Sequence, residues 1–525
     1  MAFKFQINND VTFNHDTKLL KKAAQLTPKL TEKVVHPVML TKVVPNKSKL
    51  DQVGMEKVAD VSDLDQMKFQ RDGKVVLDFG RHYVGKFKLN IRHVGSPQDA
   101  PLALRIKFAE VPAELTYESA DYDGWLSKSW IQEEVFHIDQ LPVELTLPRR
   151  YAFRYVELTV IDTSPKWSAV FSQPEVTAVS SADERTLTPI KLTDPDLQKI
   201  YDVSVDTLHD CMQEVFEDGP KRDRRLWLGD LRLQALANYA TFGNNDLVKR
   251  CLYLFGGMTA QDGRIVANVF TSADPQPDDT FLLDYSLFFI STLYDYEQHT
   301  HDQTALTDLL PVAQKQMDYA LQYIDQNGVF HEDEDYPVFV DWSNEFDKTT
   351  SGEAIIIYVL KQFMTLLKET QQETQKYAAV LQKMVTYSLN ELFDPAKNLF
   401  VSGDQAEVNV SSQVWMTLAD VMPAKQAHDV MATAEKELFP IKGIATPYMY
   451  HHVAESLLKS GLKQDGIRLL KSYWGKMIDL GADTYWEAFE PENPDYSPYD
   501  NPIVSSYCHA WGCTPAYLIK KYLLN

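Results

Sequence analysis

Asp218-Gly-Pro-Lys-Arg-Asp-Arg-Arg-Leu-Trp-Leu-Gly-Asp230 packs three aspartates, three arginines, a lysine and a tryptophan around a Gly-Pro pair. A solvated helix face spreads its charges out and has no use for Gly-Pro or an exposed Trp. A carbohydrate subsite does use this mixture: an aromatic plate for a sugar face, carboxylates for hydroxyls, and basic groups that hold and tune the carboxylates. A salt-bridged loop that only links two helices is the competing reading, and the run alone leaves it open.

The run also lies just past a change of period. Up to about residue 185 the pattern is strand-like, with polar and apolar residues alternating through Lys74–Phe79, Gly85–Ile91, Leu102–Phe108 and Tyr155–Val160. Such alternation buries one face and predicts an antiparallel β-sandwich. The first sixty or so residues carry no clear pattern. From Leu192 the period becomes helical. Thr193-Asp194-Pro195 and Thr446-Pro447 read as helix caps, and about a dozen helical stretches follow, the last over 503–523. Several, such as Phe281–Tyr296, are apolar almost all round and must be buried on more than one side. Inner and outer helices closed into a ring give both kinds, so the expectation is a β-sandwich domain over 1–188 and an (α/α)6 barrel over 189–525. An open helical solenoid is the alternative, but no repeat signature supports it.

The chain has 525 residues and a net charge of −22, which argues against nucleic acid and anionic membrane surfaces as partners. It shows no apolar leader and no run long enough to span a membrane. Four scattered cysteines suit reduced thiols in the cytoplasm.

Cleaving a glycosidic bond takes two carboxyl groups on opposite faces of the sugar. The opening run offers Asp218, Asp223 and Asp230. A second constellation, Gly481-Ala-Asp-Thr-Tyr-Trp-Glu487-Ala-Phe489, seats Glu487 among aromatics, including Trp486. Phe339-Val-Asp-Trp-Ser343 reads as the end of a short strand between helices, and Ser505-Ser-Tyr-Cys-His509-Ala-Trp-Gly512 opens the last helix. Other signals are weaker. His331–Asp335 lacks the spacing of a calcium loop, His451-His452 lacks that of a zinc site, and Asp278-Asp279 reads as a helix cap.

Together these segments resemble the family 78 glycoside hydrolases, the α-L-rhamnosidases. The opening run follows the family's Asp-Cys-Pro-x-Arg-(Asp)-Glu-(Lys/Arg)-x-Gly-Trp-x-Gly-Asp. Gly481–Glu487 echoes its Gly-Ala-Thr-Thr-x-Trp-Glu, Cys508–Cys513 its Asn-His-x-Ala-x-Gly-Ser, and Asp341-Trp342 its Asp-Trp. Leu77–Gly80 to Gly85 and Phe153–Val156 resemble the β-sandwich ahead of the barrel, so the likeness covers roughly 70–525. It implies an inverting exo-hydrolase that releases terminal α-L-rhamnose from small rhamnosides, with Asp223 as general acid and Glu487 as general base. Around the sugar it places Asp218, Arg222, Trp227, Asp230, Asp341, Trp342, Trp486 and His509, the three tryptophans as apolar walls for a 6-deoxy sugar. It implies no cofactor and no metal, a small carbohydrate partner and a bacterial, cytoplasmic setting; a homodimer stays open. Three departures stand out. The family's usual acid is Glu, its Cys and the Gly before Trp are Gly219 and Leu226 here, and most members continue into a C-terminal β-sandwich, so a compact form is expected. A hydrolase for a different sugar and a catalytically impaired sugar-binding relative are the other readings.

Overall fold

The alternation that begins at Lys74 builds one strand, Lys74–Gly95, the spine of a nine-stranded antiparallel sheet in the computed structural model. The structure describes residues 6–271, 273–499 and 501–524, so the outermost residues of both expected domains lie outside it. The spine changes partners along its length. Lys74–Asp78 pairs with Tyr151–Asp162 and with Met39–Pro45, whereas Gly85–Gly95 pairs with Trp167–Ser180. The break falls at Gly80, whose φ of 82° is open to glycine, and the register shifts between Asp78 and Tyr83. Apolar residues at alternate positions, among them Phe87, Leu89 and Ile91, meet Phe108, Tyr151 and Phe153 in the core of this sheet domain.

A helical domain follows. Asp194 caps Pro195–Cys211 by accepting from the N–H groups of Asp196 and Leu197, and Thr446 caps Pro447–Lys459 through the N–H of Met449. Among the described residues, Leu228–Ala240 packs on Leu283–Thr300, then in turn come Thr349–Glu369, Val410–Leu418, Pro447–Lys459 and Pro515–Tyr522, which returns to Leu228–Ala240. Asn245–Gly257, Gln303–Ala320, Gln375–Tyr387, Ala424–Leu438 and Lys463–Leu470 lie against these. Leu283–Thr300 is buried along most of its length, as its all-round apolarity requires. A short helix, Thr17–Gln25, from the unreadable N-terminal stretch, packs on Asn245–Gly257. No helix among the described residues is long and apolar enough to cross a membrane.

Three local expectations are corrected. The stretch 503–523 is not one helix: Pro502–Val504 and Ala510–Cys513 are single 3₁₀ turns, and only Pro515–Tyr522 is α-helical. Between the turns the chain is extended, because the N–H of His509 donates to the Tyr485 carbonyl and that of Ala510 to the Asp218 carbonyl, both at 2.7 Å. Asp278-Asp279 caps nothing; Asp278 binds the Asn268 amide and Asp279 the N–H of Asn8, and the helix starts at Leu283. Phe339–Ser343 forms no strand, since Val340 has a φ of 55° and the carboxylate of Asp284 accepts the N–H groups of Phe339 and Val340.

Buried ion pairs join the two domains behind the opening run. Lys221 pairs with Glu114 and donates to the Ser505 carbonyl, Arg150 grips Glu217, and His82 links Asp210 at 2.7 Å with Glu110 at 3.2 Å. Removing one partner of such a pair strands a charge in a dry interior. The sheet domain therefore fixes the position of the segment that carries Asp218 and Asp223.

Candidate active site

The opening run folds around its own first carboxylate. Asp218 accepts the N–H of Arg225 at 3.0 Å and that of Asp223 at 3.3 Å, while its own N–H donates to the Arg225 carbonyl. Gly219 is required by close approach: a Cβ there would stand 2.4 Å from the Arg222 carbonyl oxygen. Trp227 pairs with Asn268 and enters the helix Leu228–Ala240, which places Asp230 in its first turn.

Seven of the ten expected side chains line one recess: Asp218, Asp223, Trp227, Asp230, Trp342, Glu487 and His509. They meet at one end of the helices, because Trp227 and Asp230 begin Leu228–Ala240 and Tyr285 begins Leu283–Thr300. Leu282, Tyr285, Phe339, Tyr499 and Trp511 complete the wall. Sequence reasoning missed these five. Tyr285 lay in the apolar stretch Phe281–Tyr296 read as buried, Phe339 stood inside the quoted 339–343 segment without being singled out, and Tyr499 lay outside every quoted segment. Trp511 stood inside the quoted 505–512 segment but was not singled out.

The other three lie behind the recess. Arg222 is buried, and its guanidinium reaches two carboxyl groups of the recess: Nη1 donates to Asp223 at 3.0 Å and Nη2 donates to Glu487. Its Nε donates to the Val504 carbonyl at 2.9 Å, and its charge rests 4.2 Å from the Tyr499 ring centroid. Asp341 is used up by the backbone, accepting from the N–H groups of Ser343, Ala445 and Thr446 and from the Thr446 hydroxyl. It pins the loop that carries Trp342. Trp486 turns into the core, edge-on to Phe489 and Tyr507, so it is no wall of the recess.

Glu487 is held on every side. Arg222 and the Tyr499 hydroxyl both donate to its carboxylate, and its own carbonyl accepts from the Trp511 indole at 2.9 Å. Burial lifts its carboxyl above the usual range, while Arg222 and Tyr499 pull the other way. Burial and the neighbouring Asp223 push Asp218 up to about 8. Burial, with Asp218 and Glu487 close by, raises Asp230 well above its ordinary value. Burial and then the charge of Arg222 hold the His509 imidazole well below its ordinary value, so it is neutral at neutral pH. The Asp230 Oδ1 and the His509 Nδ1, 3.5 Å apart, are buried and make no hydrogen bond within the protein. Orphan polar atoms in an aromatic-walled recess are the complement of a hydroxylated ligand.

A carboxyl pair joined by one guanidinium beside a recess with orphan polar atoms is the arrangement of a site for a small hydroxylated ligand. The comparisons narrow it. Residues 37–178 match the glycosyl hydrolase family 78 alpha-rhamnosidase N-terminal domain, and residues 186–523 match the bacterial alpha-L-rhamnosidase 6 hairpin glycosidase domain. The chain belongs to glycoside hydrolase family 78, the α-L-rhamnosidase family. A rhamnosidase from Klebsiella oxytoca, solved with rhamnose bound, is 42% identical with a TM-score of 0.94, over 98% of this chain and 100% of that one. A family 78 rhamnosidase of Bacillus sp. GL1 shares the fold at 19% identity and a TM-score of 0.73, over 89% of this chain and 49% of its own. The alpha-L-rhamnosidase of Streptomyces avermitilis is 23% identical over 457 residues, 84% of this chain, which spans only 41% of that relative's length.

Proposed function

We propose that this protein is an inverting exo-hydrolase that removes terminal α-L-rhamnose from small rhamnosides, with Asp223 as general acid and Glu487 as general base. The observation that carries the reading is the Arg222 bridge between these two carboxyl groups. One guanidinium and two hydrogen bonds separate the nearest carboxyl oxygens, a path of at most roughly 8 Å. That bound spans both the ~5–5.5 Å of a retaining pair and the ~6.5 Å or more of an inverting one, so the bridge supports the pairing of the two carboxyl groups, and the inverting assignment rests on the family resemblance.

In this reading Asp223, whose side chain is 15% exposed, faces the departing oxygen and gives it a proton. Glu487, only 5% exposed, takes a proton from water on the other face of the sugar as the C–O bond breaks. The Asp230 and His509 atoms without partners take sugar hydroxyls, while Trp227, Trp342 and Tyr285 supply the apolar wall that a 6-deoxy sugar's methyl group prefers. Support for rhamnose comes from the Klebsiella oxytoca relative, whose structure holds that sugar. The returning ring of helix contacts supports an (α/α)6 barrel, and four free, buried cysteines suit the cytoplasm.

The test is a panel of nitrophenyl glycosides. Cleavage of the α-L-rhamnoside above all others supports the reading; strong cleavage of another glycoside with none of the rhamnoside assigns the site to that sugar.

A further inference from the structure

The wall of the recess does not stop at the helical domain. Tyr499, which donates to Glu487, meets Trp342 with ring centroids 6.1 Å apart. It also meets Trp125, with ring centroids 5.5 Å apart. Trp342 and Tyr499 line the recess, whereas Trp125 is 45% exposed and is one ring farther out. It belongs to the sheet domain, on the segment between the strands Leu102–Ala109 and Glu133–Ile138.

This segment is built to present that side chain. Tyr122 is buried against Tyr499, Ile503 and Val504, and its hydroxyl donates to the Leu126 carbonyl at 3.1 Å, closing a turn across Trp125. Gly124 permits the turn, since a Cβ there would come within 2.7 Å of the Tyr122 ring. An indole held on a pinned turn loses little freedom when a ligand stacks on it.

We propose that Trp125 forms the leaving-group subsite: its exposed face stacks on the flat, partly apolar group attached to the sugar, an aromatic ring or a second pyranose. This rests on the function proposed above, because a leaving group has meaning only if the recess takes the sugar that is cleaved. Trp125 would then set which glycosides are preferred without touching the reacting atoms. The sheet domain would supply one wall of the substrate site.

The experiment compares Trp125→Ala and Trp125→Phe with the parent enzyme on three substrates: nitrophenyl α-L-rhamnoside, an α-L-rhamnosyl-glucose disaccharide and methyl α-L-rhamnoside. Stacking of this kind corresponds to roughly a fivefold to tenfold effect. The alanine variant should lose that much more kcat/KM on a substrate with a flat leaving group than on the methyl glycoside, mainly through KM, and phenylalanine should restore most of it. Loss confined to the nitrophenyl substrate assigns the subsite to an aromatic ring; loss confined to the disaccharide assigns it to a sugar. Equal changes on all three, or none, would overturn the proposal while leaving the rhamnosidase reading intact. If the parent cleaves no rhamnoside at all, the proposed function falls and the leaving-group subsite falls with it.

Discussion

Arg222 donates to Glu487 from one terminal nitrogen, and the other terminal nitrogen of the same guanidinium reaches Asp223 at 3.0 Å. The side chain therefore contacts both carboxyl groups and pulls the pKa of Glu487, the proposed base, down. Arg222→Lys keeps a cation but cannot span two partners in one plane, and should lower kcat about a hundredfold. Arg222→Leu has a second signature. Arg222 pulls the Glu487 pKa down, so without it Glu487 titrates higher. A base must be ionised to act, so the acid limb of the kcat/KM profile should move to higher pH. An unmoved limb would show that Arg222 does not tune Glu487.

Glu487→Gln should lower turnover of nitrophenyl rhamnoside, and Asp223→Asn that of a rhamnosyl-glucose disaccharide, whose sugar leaving group needs the proton far more than nitrophenolate does, each by about 10²–10⁴-fold, the usual scale of a lost proton-transfer group. Circular dichroism should report folded proteins, since each replacement is nearly isosteric. Full activity in either variant would reassign its role.

Asp218 links the site to stability. Its carboxyl titrates at about 8 when folded, against an ordinary 3.8. The folded chain thus keeps a proton that the unfolded chain has already released. The resulting stabilisation is complete below the ordinary value, declines as pH rises and is gone above the folded one. Asp218→Asn cannot ionise, so its melting temperature should fall less steeply than the parent's between about pH 5 and 8. Parallel curves would contradict the assignment.

Asp341 supports the site from behind, through three backbone N–H groups and the Thr446 hydroxyl. Asp341→Ala leaves those donors buried without an acceptor, at a cost of about 3 kcal/mol or more. Thermal denaturation should show a lower midpoint, and KM should rise as the Trp342 loop loosens. An unchanged midpoint would mean that the loop is held by other contacts.

The order of motifs, through the family resemblance they carry, grouped Asp218, Asp223, Asp230, Glu487 and His509, although only Asp230 starts a helix and the other four lie in loops that no period marks. Direction was less legible. Asp341 and Trp486 sit one residue from true wall residues, yet their partners, Thr446 and Tyr507, are more than a hundred and about twenty positions away, so only tertiary packing turns them inward. The last helix was overread because apolar spacing continued through Cys508–Gly512, where hydrogen bonds to Tyr485 and Asp218 hold the chain extended. Tyr499 and Trp125 are loop aromatics with no periodicity to mark them.

The most direct test of the central claim is the anomer first released from nitrophenyl α-L-rhamnoside, followed by proton NMR before mutarotation. An acid and base acting across a water molecule release β-L-rhamnose. Release of the α anomer would mean that a carboxylate attacks the sugar directly, and would contradict the roles given to Asp223 and Glu487.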